Sequence, residues 1–300
     1  MLRQTLRLIV GGFFMGTADL VPGVSGGTIA LVLGIYEQLV ESIREASSAL
    51  GSILKADSAG FKDHFSKVEW SFLVPLLAGI LLAVVLLANF LERQLEERPV
   101  VIAGLFLGLV LGSIGIAWRL LRQSTWRHVV IAAIVGLVLF AALGFGEGQV
   151  RGDPSVLAFF GAGVLAICAM ILPGISGSLI LLMLGMYAPV LGAVTDREFG
   201  TITVFGLGAI VGLALFSQLL YWLLENYHDN VLAALIGLMA GSARILWPWP
   251  DGVGSAELGA PGDDWLAVVI AAAIGVVVVS LISRLAVSRE SVASGHTSSV

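Results

Sequence analysis

Apolar residues in this chain come in long unbroken runs. They do not follow the every-other or every-third-or-fourth spacing of soluble strands and helices. A membrane-crossing helix needs about 20 mostly apolar residues. Six runs meet or nearly meet that length: 72–91, 100–118, 129–145, 202–224, 231–247 and 265–282. Two further runs, 6–20 and 157–172, stop short at Pro22-Gly23 and Pro173-Gly174 and resume as 26–40 and 177–191. Each broken pair reads either as a helix, a turn and a helix returning to its own side, or as two short full spans.

The two breaks are copies of one another. Aligning 22–36 with 173–187 gives nine identities in fifteen positions, among them Pro, Ser and Tyr, which shared apolarity alone does not produce. Fainter matches follow in the same order: GLVLGSIGIAW from Gly108 with GLMAGSARILW from Gly237, and VIAAIVG from Val130 with VIAAAIG from Val269. The chain thus divides into two membrane repeats, 1–150 and 151–288, and a disordered tail, 289–300. Each repeat is one broken pair plus three spans, and an odd number of crossings turns the second copy over. The expected fold is an all-α polytopic membrane protein built as an inverted repeat, an organisation common in secondary transporters.

Composition agrees with that class. The chain is 58% hydrophobic and 12% charged, with a mean hydropathy of +0.98, whereas a soluble domain is about a quarter charged. With both termini in the cytoplasm, eleven Lys and Arg face inward and five outward, as the positive-inside bias requires. All seven Trp fall at or just beyond span ends. The N-terminus has two Arg before an apolar stretch but no small-x-small cleavage site, and is expected to be retained. Segment 46–69 reads as a cytoplasmic, amphipathic, interfacial loop. Cys168, the single cysteine, reads as a small buried hydrophobe.

The breaks carry the candidate chemistry. After each Pro-Gly a helix begins at Ser25 or Ser176, both suitable N-caps. A helix start offers free N–H groups and the positive end of the dipole to a phosphate or carboxylate. Ser25, Gly26, Gly27 and Thr28, with Ser176, Gly177 and Ser178, are therefore the expected anion ligands. Pro22, Gly23, Pro173 and Gly174 make the structural breaks. Asp19 is a carboxylate at membrane depth, which costs roughly 3 kcal/mol and usually marks function. It is a proton carrier, a cation ligand or a cap on local amides; its repeat partner is Met170. Glu37 is a second coupling candidate, with H+ or Na+ as the ion. Glu41, Glu45 and Arg44 read as a solvated face. Arg244 and Arg119 are the cations best placed to meet an anion, with Arg44 third, although Arg244 and Arg119 can simply snorkel. Asn89 and Gln218 read as helix–helix hydrogen bonds. His64, His128, His228 and His296 are expected in loops or the tail. There is no metal-ligand spacing, no cofactor motif and no sign of a nucleic-acid partner. The oligomeric state is left open.

With GTADLVPGVSGGTIALVLGIY, an amphipathic loop and ILPGISGSLILLMLGMY in this order, the chain resembles the bacterial polyprenyl-phosphate (undecaprenyl-phosphate) transporter family. The resemblance runs to about Arg284. It implies a translocase of the cytoplasmic membrane that returns the lipid carrier monophosphate from the outer to the inner leaflet, with the two Ser-Gly motifs binding the headgroup. The motif is also similar to that of membrane undecaprenyl-pyrophosphate phosphatases, whose Pro-Gly-x-Ser-Arg-Ser carries an arginine. Gly26 and Gly177 replace that arginine here, which argues against hydrolysis because a pyrophosphate transition state needs a cation. A small-anion transporter is the remaining alternative.

Overall fold

The computed structural model describes residues 2–21, 23–54, 56–145, 154–254 and 257–287. Pro22, the junction between the expected halves and the expected tail lie outside the described residues. Among those described, all regular structure is helical. In chain order the helices are α1 (Leu2–Asp19), α2 (Gly26–Val32), α3 (Tyr36–Leu54), α4 (Ser58–Lys67), α5 (Trp70–Glu97), α6 (Pro99–Trp118), α7 (Trp126–Ala142), α8 (Val156–Ile171), α9 (Gly177–Met183), α10 (Tyr187–Thr195), α11 (Phe199–Ser242) and α12 (Trp265–Val287). Five of them, α5, α6, α7, α11 and α12, are long and apolar enough to cross a membrane, and the bent pair α9–α10 would make a sixth. The protein is a multi-pass membrane protein.

Expected spans 202–224 and 231–247 form one element. At 1.5 Å per residue the 44 residues of α11 would reach about 66 Å, twice the hydrocarbon thickness. Non-helical angles at Tyr227 (φ −135°, ψ 38°) divide it into two arms. The second arm ends at Ser242, so Arg244 lies in the turn after the helix and not within a span.

The second limb of each broken pair is itself broken, which the apolar runs 26–40 and 177–191 conceal. Helices α2 and α9 have seven residues each. Both end in a glycine with positive φ, Gly34 and Gly185, each at 69°. Ile35 N–H donates to Ala30 O and Gly34 N–H to Leu31 O, and Met186 and Gly185 repeat the pattern on Leu181 and Leu182. This is the Schellman ending, whose left-handed residue favours glycine. It turns the chain by 112° between α9 and α10.

Pairs of helices meet through glycine, as expected where tight van der Waals packing has to replace the hydrophobic effect in lipid. A Cβ at Gly12 would lie 2.0 Å from Leu76 O, and one at Gly79 would lie 2.1 Å from Ile9 O. Extending the repeat alignment pairs Gly12 with Gly163 and Gly79 with Gly208. There the would-be Cβ atoms lie 2.2 Å from Phe205 O and 2.1 Å from Phe160 O. Phe205 and Phe160 are the repeat partners of Leu76 and Ile9, so α1–α5 and α8–α11 share the same contacts, position for position.

The later helices pair crosswise between the halves. Gly108 of α6 faces Ala272 of α12, and Gly237 of α11 faces Ala132 of α7. Gly104, Gly108 and Gly112 meet Val268, Ala272 and Val276 in turn, so α6 and α12 run parallel. Gly237 and Gly241 meet Ala132 and Gly136, so α7 and the second arm of α11 do too. Contacts also climb together along α1 and α5, from Gly12 on Leu76 to Gly16 on Ile80.

The amphipathic segment is two helices, and its first begins at Tyr36, ten residues before the expected loop. Glu45 is not on a solvated face. It is 5% exposed, bonded by Arg44, and 2.8 Å from His64 Nδ1 of α4. Burial pushes its carboxyl up, but hydrogen bonds from His64 and Arg44 outweigh that and hold it below the usual carboxylate range. The histidines also depart from expectation. His64 lies in α4, His128 is buried in a capping box with Thr125 at the start of α7, and His228 lies at the kink of α11; His296 is outside the described residues. Cys168 is half-buried, its thiol 3.8 Å from Gly212 O. Asn89 and Gln218 are exposed and make no hydrogen bond among the described residues.

Candidate site where the two breaks meet

The two Pro-Gly breaks, about 150 residues apart in sequence, are in direct contact. Gly23 and Gly174 both adopt positive φ, 81° and 85°, a region that costs a side chain-bearing residue about 1–2 kcal/mol. Each then leads into an extended serine, Ser25 (φ −134°, ψ 137°) and Ser176 (φ −102°, ψ 148°), and each serine caps the following helix. Ser25 Oγ accepts from Gly27 N at 3.1 Å, and Ser176 Oγ accepts from Leu179 N at 3.2 Å.

Two hydrogen bonds join the breaks. Gly174 N donates to Thr28 Oγ1 at 3.0 Å, and Tyr36 Oη donates to Ile171 O at 3.2 Å. Thr28 and Tyr36 are each 1% exposed. A Cβ at Gly27 would lie 2.9 Å from Ile171 O, so the start of α2 rests on the backbone of the second break. An unpaired buried amide or hydroxyl costs about 1–3 kcal/mol. Thr28 and Tyr36 therefore lock the two breaks together.

The breaks differ chemically at one place. Asp19 Oδ1 accepts from Gly26 N at 2.6 Å. Gly27 N goes to Ser25 Oγ and Thr28 N to Ser25 O, so the first-turn donors of α2 are all used internally. Asp19 thus does cap local amides, and it is an anion already seated where an anion was expected. At α9 the equivalent of Asp19 is Met170, which packs over Gly177 as Asp19 packs over Gly26. Met170 offers no acceptor. Among the described residues, no acceptor lies on the amides of Gly177 and Ser178. Ser178 Oγ is 3.0 Å from Ser176 Oγ, which puts two hydroxyls beside those amides. Both Asp19 and Met170 are exposed at the edges of their breaks.

The two arginines differ in their surroundings. Arg119 is exposed at the C-terminal end of α6. The Arg244 guanidinium lies 4.8 Å from the Phe140 ring centre, while its neighbour Ile245 packs against Gly23. Glu37 is exposed and 2.9 Å from His228 Nε2. The other ring nitrogen of His228 is 2.9 Å from Asp229 Oδ1, and Asp229 accepts from the Arg122 and Gln123 amides at 3.0 Å. This chain of contacts ties the start of α3, the kink of α11 and the α6–α7 connection into one joint. His228 was missed because it sits 191 positions from Glu37; the adjacent His-Asp pair between two apolar runs was its only signal. Among the described residues no cluster of His, Cys, Asp and Glu could hold a metal ion.

A family model described as VCA0040-like, undecaprenyl phosphate translocase-like, matches residues 15–258, which include both breaks and every helix from α2 to α11. A polyprenyl-phosphate transporter of Vibrio cholerae is 41% identical over 249 residues, covering 82% of this chain and 79% of the relative. A polyprenyl-phosphate transporter of Staphylococcus aureus is 30% identical over 259 residues, covering 80% and 85%. Both relatives are named as transporters and neither as an enzyme. No solved structure gives a significant match. The chain belongs to the undecaprenyl phosphate translocase-like family.

Proposed function

We propose that this protein carries polyprenyl monophosphate, of the undecaprenyl phosphate type, from the outer to the inner leaflet of the bacterial cytoplasmic membrane, with the phosphate held where the two breaks meet. The observation that carries this reading is the lock between the breaks, Thr28 to Gly174 and Tyr36 to Ile171. It puts two polar, glycine-lined turns side by side in the interior of an apolar bundle, where irregular backbone is tolerated only if it is buried or lines a cavity.

The parallel run of α1 and α5 supports a re-entrant first pair. Helices that run parallel start on the same side, so α2 to α4 bring the chain back to where α1 began. The matching contacts of α8 and α11 support the same for the second pair. With cytoplasmic termini, this gives an inverted repeat whose two breaks enter from opposite faces and meet near the midplane, each exposed to one leaflet in turn.

The chemistry is an exchange of anions. The amides of Gly177 and Ser178 and the hydroxyls of Ser176 and Ser178 donate to the phosphate oxygens at the second break. At the first, the Asp19 carboxylate holds the Gly26 amide until a proton or Na+ neutralises it. That frees the Gly26 amide to donate to the phosphate, while Gly27 and Thr28 stay bonded to Ser25 and hold the turn in shape. Glu37, joined to His228 at the kink of α11, is the coupling group between this event and movement of the α11 arms. Arg119 and Arg244 are auxiliary cations along the headgroup's path.

The test uses purified protein in sealed liposomes with labelled undecaprenyl phosphate, following leaflet accessibility over time, with the pyrophosphate lipid assayed in parallel for phosphate release. The expected result is lipid exchange without phosphate release and without competition by small anions. Release of phosphate would replace this reading with a phosphatase, and competition by small anions would replace it with an anion carrier.

A further inference from the structure

A cavity of about 540 Å³ lies between α3, α4 and the first arm of α11, apart from the breaks. That volume is in the range of sites for small organic ligands. Its wall includes Arg44, Ser47 and Ser48 of α3 and Gln218, Tyr221 and Trp222 of α11. The α11 residues occupy the last turns of the arm before the kink at Tyr227. Trp222 is 50% exposed there, in the position an aromatic side chain takes at a membrane interface. The cavity therefore sits at the end of an apolar span, at the depth of lipid headgroups.

Its donors are in excess. The Arg44 guanidinium lies 3.8 Å from the Tyr221 ring centre and bonds Glu45 through Nη2, while its Nε is buried with no hydrogen-bond partner. Glu45 is occupied on both oxygens, by Arg44 and by His64, so it takes nothing more from the cavity. The Ser47 and Ser48 hydroxyls and the Gln218 amide have no hydrogen bond among the described residues. Glu225, the lining acid with no ion-pair partner among the described residues, is exposed, where solvent screens its charge. An aromatic-backed arginine whose side chain is 29% exposed, flanked by hydroxyls, matches the acceptor oxygens of a phosphate.

We propose that this cavity is a second headgroup site, taking the phosphate monoester of a lipid whose chain remains in the bilayer, with Arg44 as its principal ligand. The assignment to the transported lipid rests on the function proposed above. At the cytoplasmic end of the path, it is where the headgroup would rest on leaving the breaks.

Gly51 lines the cavity, and a Cβ there would meet nothing within 4 Å. In the full-length protein with Cys168→Ser and Gly51→Cys, an environment-sensitive fluorophore on the new thiol reports occupancy. Farnesyl monophosphate should give a saturable signal, weakened at least about tenfold by Arg44→Gln and partly restored by Arg44→Lys. Gln218→Leu should weaken it as well, which gives a second reading if Arg44→Gln fails to fold. No signal, or one indifferent to these changes, overturns the site. An equal response to inorganic phosphate overturns the assignment to a lipid headgroup. Lipid exchange in liposomes with a silent cavity defeats this inference alone. A responsive cavity without lipid exchange defeats the transport reading alone.

Discussion

Gly174→Ala is expected to destabilise the protein far more than Gly34→Ala, although both glycines have positive φ. At Gly34 a methyl would meet nothing within 4 Å, so the cost is the conformational strain alone, about 1–2 kcal/mol. At Gly174 the strain is the same, but a Cβ would also lie 2.7 Å from Met239 Cα and 2.8 Å from its amide nitrogen. Both atoms are backbone, in the second arm of α11, and cannot rotate away. Relief requires the break to move off α11, which also stretches the bond from Gly174 N to Thr28. The combined cost is expected to exceed about 3 kcal/mol, with clash and strain adding to a buried hydrogen bond. Thermal unfolding in detergent, read for the two variants side by side, checks this. Equal shifts would mean that the second break does not bear on α11.

Asp19→Met is expected to leave a folded protein with little transport. The change gives the first break the residue that the second already has, and Met170 shows that a methionine packs over the equivalent glycine, its Cγ 2.8 Å from a Cβ at Gly177. Position 19 is exposed, so the added volume has room. What disappears is the charge-assisted hydrogen bond to Gly26 N, and bonds to charged groups contribute about 1.5–3 kcal/mol. If that carboxylate is the group which a proton or Na+ neutralises, its loss should lower lipid exchange by at least about tenfold and flatten its dependence on pH and Na+. A well-folded Asp19→Met protein with the normal dependence would exclude Asp19 from coupling.

Much of this fold could be read from the residues because the repeat is a statement about residues. The nine identities located both breaks, and the Pro-Gly-x-Ser-Gly order located both caps. The apolar runs located the long helices. Hydropathy could not see the ends of α2 and α9, because Gly34 and Gly185 sit inside runs that stay apolar on both sides. Their effect is on φ and not on burial. It could not separate a span from the turn after it, so Arg244 was placed inside a helix that ends at Ser242. The solvated reading of Glu45 failed because its partner His64 arrives from a second helix. At the site, Asp19 was legible as a cap on local amides, but its partner Gly26 N was not, and neither motif shows that Thr28 reaches Gly174. The Thr28 bond depends on the two breaks touching, which neither motif states alone.

The central claim is that a phosphate binds at the break built around Ser176. The most direct test compares Ser176→Asn with Ser176→Asp in the liposome exchange assay. Asn, Asp and Ser cap helices about equally well, so both variants should keep α9 intact. Asp alone places a negative charge at the amides of Gly177 and Ser178. The account predicts that exchange is at least about tenfold slower for Ser176→Asp than for Ser176→Asn, which loses the hydroxyl but stays neutral, as an added carboxylate competes with the phosphate. Equal rates for the two would contradict it and move the headgroup away from the breaks.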